Sequence, residues 1–204
     1  MSLGIYFLLI CSMFAVSTSP LIARYLSHLD PISISFWRMF IGAFILHIYS
    51  LSSKKYKYLS KQNNAKTIYA GILLGLHFAL FYGAISLLPN NMVNATVFGT
   101  LAPLFALIIE IYFGRKIHTN LIIGLVIVLI GSFTMFIFDF SFDSNLTKGN
   151  ILAILCSICF AFVFIFSDQV RKSESSLNFS KFLFSYATIT ILMISFAFHT
   201  PLLH

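Results

Sequence analysis

The strongest constraint in this chain is the recurrence of apolar blocks about twenty residues long, of which "GILLGLHFALFYGAISLL" is one. The hydrocarbon core of a bilayer is about 30 Å thick and takes roughly 20 helical apolar residues to cross. Lipid offers no partner to backbone N–H and C=O groups, so each block must satisfy its own as a helix. Seven blocks are predicted, near 3–23, 31–52, 67–88, 91–113, 120–138, 149–170 and 178–199. The 204 residues are 59% apolar and 9% charged, with a mean hydropathy of +0.93, far from a soluble domain. The fold class read here is an all-α polytopic membrane protein. The connections "SHLD", "KKYKYLSKQNNAK", "PNN", "RKIHT", "DFSFDSNLTK" and "RKSESS" are too short for a separate soluble domain.

Basic connections stay on the cytoplasmic side of a membrane. With a cytoplasmic N-terminus, the inner connections hold Lys54, Lys55, Lys57, Lys61, Lys66, Arg115, Lys116, Arg171, Lys172 and Lys181, against Arg24 and Lys148 outside. The expected orientation is therefore N-terminus in and C-terminus out, the reverse of a seven-helix receptor. The net charge of +7 is topological, and no basic stripe interleaved with aromatics marks a nucleic-acid surface. Abundant Phe, Ile, Lys, Asn and Ser suggest an AT-rich genome, consistent with a bacterium; the expected location is the inner membrane. The first block lacks a basic leading region and has Ile10 before Cys11, so it reads as a retained helix rather than a cleaved signal.

Cys156 and Cys159 form a C-x-x-C, but inside an apolar block and with no second ligand pair, where small packing residues are the simpler reading. No metal or cofactor is expected. There is no G-x-S-x-G, H-E-x-x-H or Walker loop, so an enzyme is not the expected class.

Helices one and six share features. Cys11 and Ser12 recur as Cys156 and Ser157, Arg24 as Arg171 and, one helix on, Ser33 as Ser180. The copies are offset by five helices, an odd number of crossings, so the second lies inverted in the membrane, a plan frequent among secondary transporters. The expected organisation is one complete five-helix repeat, 3–138, then the first two helices of an inverted second repeat, 149–199.

In helix three, Gly71, Gly75, Ala79 and Gly83 recur every four residues and allow close backbone approach. Helix four, with Ala95, Gly99, Ala102 and Ala106, is the expected partner face. Pro103 falls about 18 Å along helix four and frees the carbonyl of Gly99, making Gly99 and Pro103 a candidate hinge. His77 lies at similar depth, turned away from the glycine stripe. It reads either as a wall of a polar cavity or as a hydrogen-bonded link between helices. Trp37, Tyr82 and Asn94 are candidates to line the outer mouth. Glu110 and Asp168, the acidic residues inside helices, are candidates for ion coupling or for pairing with Arg115, Lys116 or Arg171. Arg38, within "ISISFWRMFIGAF", lies about 10 Å along helix two. It shares a face with Ser35 and Gly42, so it is expected to face the bundle, either as an anchor or as a substrate contact.

With "SFWRMF" in helix two, "LFYGAISLLPNNMVNATVFGTLAPLFALI" across helices three and four and "GLVIVLIGSFTMF" in helix five, the chain resembles EamA-type proteins of the drug/metabolite transporter superfamily. The resemblance spans 3–138 as a full repeat and 149–199 as the opening of another. It implies a permease that moves a small metabolite by alternating access through a cavity between two repeats. Lipid bilayer and a small-molecule substrate are the implied partners, and nucleic acid is not. Full-length relatives have ten helices, so the seven counted here suggest a shortened form. Such a form would either still transport or serve as a non-transporting product, a homodimer or a subunit completed by a partner chain. The Gly-Glu that commonly ends helix four stands here as Gly114-Arg115.

Overall fold

A computed structural model of the chain describes residues 3–26, 28–54, 56–88, 92–115, 119–138 and 144–202. The "PNN" turn, Lys55 and Lys116 lie outside these residues. The described chain forms α1 (Leu3–Tyr25), α2 (Pro31–Ser52), α3 (Lys61–Leu87), α4 (Met92–Gly99), α5 (Ala102–Tyr112), α6 (Thr119–Phe138), α7 (Ser144–Arg171) and α8 (Ser176–Phe198). Among the described residues, six stretches are long and apolar enough to cross a membrane: α1, α2, α3, α4 with α5, α7 and α8. In α6 the apolar stretch Asn120–Thr134 is shorter. The protein is thus an all-helical, polytopic membrane protein.

The helix starts follow from local chemistry. Asp30 Oδ1 accepts the Ile32 N–H at 2.7 Å, and Pro31 occupies the first turn, where an N–H would have no helical partner anyway. Ser60 and Ser175 cap α3 and α8 in the same way, accepting from Asn63 and Asn178. Helix α3 begins at Lys61, ahead of the apolar block predicted from 67, because an apolar block reports membrane depth rather than helix length. Its polar first turns are tied instead to the end of α7: Ser60 N–H and Asn63 Nδ2 both donate to Glu174 Oε1, at 3.3 and 3.0 Å.

Long-range bonds fix the directions of the helices. Ser33 near the start of α2 donates to the Pro201 carbonyl just past α8, while Ser50 near the end of α2 meets Lys181 near the start of α8. Helices α2 and α8 therefore run antiparallel. One end of the bundle gathers the start of α2, the C-terminal part of α3 and the chain after α8; the other gathers the end of α2 and the starts of α3 and α8. They are called here the Asp30 end and the Ser60 end.

Helix α3 is central. Its Ala70 and Leu74 pack with Met39 of α2, Val163 of α7 and Ala187 and Ile191 of α8. Nearer the Asp30 end its Tyr82, Ile85 and Leu88 pack with Ala95 and Phe98 of α4 and Ala153 of α7. At Gly71 and Gly75 the glycine stripe allows a close approach, but to α8 rather than to the helix-four face predicted for it. A Cβ on Gly75 would stand 2.9 Å from the Ala187 carbonyl oxygen, and one on Gly71 would run into Tyr186 Cβ. Periodicity specifies which residues share a face; it does not say which helix stands opposite. Helix α4 meets α3 through a different contact, Gly99 beneath the Phe81 ring, where an added Cβ would lie 2.9 Å from a ring carbon.

The fourth crossing is interrupted. Helix α4 stops at Gly99 and α5 restarts at Ala102 with Pro103 in its first turn. Buried Ser157 of α7 donates its hydroxyl to the Phe98 carbonyl beside the break, so a backbone group loosened in the membrane finds a protein partner. Helix α5 then ends on Gly114, whose φ of +76° is the left-handed conformation glycine tolerates. Arg115 N–H closes that end on the Glu110 carbonyl at 3.0 Å.

Candidate functional site

A cavity of about 570 Å³ opens at the Asp30 end between α1, α2 and α3. Ser19, Ile34, Trp37, Arg38 and Tyr82 contribute to its wall. Arg38 is carried there by the Asp30-capped helix and Tyr82 by the last turns of α3. Arg38 Nη1 donates to Tyr82 Oη at 2.7 Å and to Ser19 Oγ. The two hydroxyls are 3.2 Å apart. Arg38 Cζ lies 4.8 Å from the centre of the Phe78 ring, within cation–π range. No carboxylate among the described residues pairs with this guanidinium. Trp37 Nε1 donates to the Leu202 carbonyl at 2.8 Å, which fixes the indole at the rim where the chain folds back after α8.

Three of the candidate substrate residues, Trp37, Arg38 and Tyr82, thus meet at one cavity. The other two stand elsewhere. His77, 7% exposed, is hydrogen-bonded through Nδ1 to the Cys156 carbonyl of α7 at 2.9 Å. It stacks on Phe160 with ring centres 4.4 Å apart. It links α3 to α7. Asn94, 1% exposed, has no partner for Nδ2 or Oδ1 among the described residues.

At the Ser60 end, Glu110 and Asp168 come together through cations. Arg115 Nη1 lies 2.6 Å from Glu110 Oε1, and Arg115 Nη2 lies 3.8 Å from Asp168 Oδ2; Lys172 Nζ reaches the same oxygen at 3.1 Å. A second cavity of about 380 Å³ borders this cluster and Pro103. Arg115, standing where the resemblance expects an acid, is therefore balanced by Glu110 one turn back.

Two participants were not singled out from the sequence. Ser19 lies in the polar run "STSP" of the first helix, whose Pro20 is the signal that marks it. Lys181, counted among the connection cations, is instead completely buried within α8. Its Nζ donates to Ser50 Oγ at 3.2 Å and lies 3.5 Å from the centre of the Tyr56 ring. Tyr56, in the α2–α3 connection, has its phenol raised above the ordinary tyrosine value, by desolvation first and by Tyr58 second. The flanking "NFSKFLFSY" was the available clue. Among the described residues no His, Cys, Asp or Glu side chains group as a metal would require.

A family model described as the EamA-like transporter family matches residues 2–137, two-thirds of the chain. No curated protein and no solved structure matches.

Proposed function

Since the chain belongs to the EamA-like transporter family, a family of membrane transporters, we propose that it moves a small metabolite by alternating access, with the Arg38 cavity on the solute path. One observation carries this reading. Trp37, Arg38 and Tyr82, picked from two different helices by sequence alone, converge on a cavity large enough for a metabolite. The match ends at 137, one residue short of the end of α6. This supports 3–138 as one repeat. The antiparallel packing of α2 and α8 supports 149–199 as the opening of an inverted second. Within that plan the Gly99–Pro103 break is the proposed hinge of the fourth crossing, and Glu110 and Asp168 are the carboxylates to which any ion coupling is assigned. His77 is assigned to joining α3 and α7. The proposed setting is a bacterial inner membrane with the Asp30 end outside.

The experiment is an uptake screen of labelled amino acids, organic acids and amines in a transport-deficient bacterial host, with expression verified in the membrane fraction. Expected is at least one solute taken up above the empty-vector level, with that uptake lost in Arg38→Gln. Uptake equal to empty vector for every solute, from a chain present in the membrane, would overturn the reading.

A further inference from the structure

The wall of the Arg38 cavity is polar around Arg38, Ser19 and Tyr82 and apolar elsewhere. We propose that it selects a small solute with a carboxylate head and an apolar body, the head on Arg38 and the body along α1 and α2. This rests on the reading of the cavity as the solute site.

The polar part of the wall is rich in donors. The guanidinium bonds run through Nη1 alone, which leaves the donors on Nη2 and Nε for a ligand. Ser19 and Tyr82 both accept from Nη1 and lie 3.2 Å from each other. One hydroxyl proton therefore bridges the pair, and the other remains to be given to a third group. The indole N–H of Trp37 and the hydroxyl of Ser33 are already committed to the Leu202 and Pro201 carbonyls. The wall thus offers one full positive charge and at least one hydroxyl proton, with no carboxylate of the described residues to neutralise it.

A lone cation inside a membrane bundle is costly to desolvate, and an arriving anion offsets that cost. A carboxylate suits the site, because a guanidinium presents parallel donors that match its two oxygens. A cationic solute would meet like charge, and a neutral amide would gain less from each bond. Ala15, Ile22, Ala23, Leu26 and Ile34 supply most of the remaining wall, an apolar bed for the rest of the molecule. The phosphate of an anionic lipid offers the same oxyanion chemistry, so the experiment must separate the two sources.

Trp37 is the single tryptophan of the chain and lines the cavity, so its emission reports on occupancy. Purified protein is reconstituted in nanodiscs of phosphatidylcholine and titrated with 3-phenylpropionate, 3-phenylpropanamide and 3-phenylpropylamine, which differ only in the head group. The expected result is a saturable change of Trp37 emission with the carboxylate at a concentration about tenfold or more below the amide, and no saturation with the amine. Arg38→Gln should bring the carboxylate to the level of the amide, and Arg38→Lys should recover part of the preference. The head-group comparison in the wild-type chain needs no variant to fold. Equal titration by carboxylate and amide, or preference for the amine, would overturn the charge selection while leaving the cavity as a solute site. Silence of Trp37 towards all three would remove this proposal, whereas the uptake screen alone decides whether the chain transports. An emission change that follows added phosphatidylglycerol, and is not displaced by 3-phenylpropionate, would assign the site to a lipid headgroup and overturn the solute proposal.

Discussion

Arg38 and Lys181 are both cations inside membrane helices, and their immediate partners are alike. Each donates to a serine hydroxyl, Ser19 for Arg38 and Ser50 for Lys181. Each lies over an aromatic ring, Phe78 or Tyr56. They stand near the N-terminal ends of α2 and α8, two helices that run antiparallel, so one belongs to the Asp30 end and the other to the Ser60 end. What differs is access. Arg38 is on the wall of a cavity of about 570 Å³ and keeps donors to spare, while Lys181 is 0% exposed beneath Tyr56 and Phe182. Local chemistry therefore does not decide which cation is left open to a cavity; what packs over it does. At the Asp30 end α1 stands off and leaves a cavity, whereas at the Ser60 end the α2–α3 connection folds its tyrosine down onto the charge.

The largest expected effect comes from reversing the sealed charge. Lys181→Glu would set an anion against the negative face of the Tyr56 ring, at a cost of about 3–5 kcal/mol. Loss of the monodisperse peak in detergent size-exclusion, or a large drop in melting temperature, is the expected readout. Arg38→Glu, with a cavity to hydrate it, should retain its peak. If the two behave alike, the contrast in access is wrong. Lys181→Met, which keeps the shape of the stem and removes the charge, should be near neutral or mildly stabilising.

A smaller effect is expected where α3 and α8 touch. Gly75→Ala drives a methyl to 2.9 Å from a backbone oxygen of α8 and should cost about 1–3 kcal/mol, read as a lowered thermal midpoint. Gly83→Ala belongs to the same stripe but meets only Leu152 Cδ1 at 3.7 Å, so it should change the midpoint little. Equal losses at both would show that the stripe does not face α8 as described.

The smallest effect is expected in the solvated cluster. Glu110 and Arg115 have side chains 30% and 46% exposed, and exposed ion pairs contribute under about 1 kcal/mol. Glu110→Gln should leave the melting temperature nearly unchanged. Any large loss of uptake in that variant would then speak for coupling rather than for folding.

The legibility of this chain divides along physical lines. The crossings were readable because a membrane demands long apolar helices, and α2 runs from Pro31 to Ser52, as read from "SHLD" and its apolar run. Pro103 announced the broken fourth crossing because its missing N–H cannot be hidden. The glycine stripe announced close packing, yet the partner was misassigned, since a face does not name its neighbour. Arg38, Trp37 and Tyr82 were each legible as polar or aromatic anomalies near one mouth, but the cavity and hydrogen bonds they share were not, because these depend on how α1 and α3 lie against α2. Lys181 was hidden by its company: a lysine beside a basic connection reads as one more solvated charge until the rings that cover it are placed.

The most direct measurement compares both cations in a single transport assay. Proteoliposomes carrying equal amounts of the wild-type chain, Arg38→Lys, Arg38→Gln and Lys181→Met are loaded into the same uptake experiment with the solute found in the screen. Expected are similar rates for wild type and Lys181→Met, a partial rate for Arg38→Lys and the rate of empty liposomes for Arg38→Gln. Full uptake by Arg38→Gln would contradict the placing of the solute path at the Asp30 end cavity.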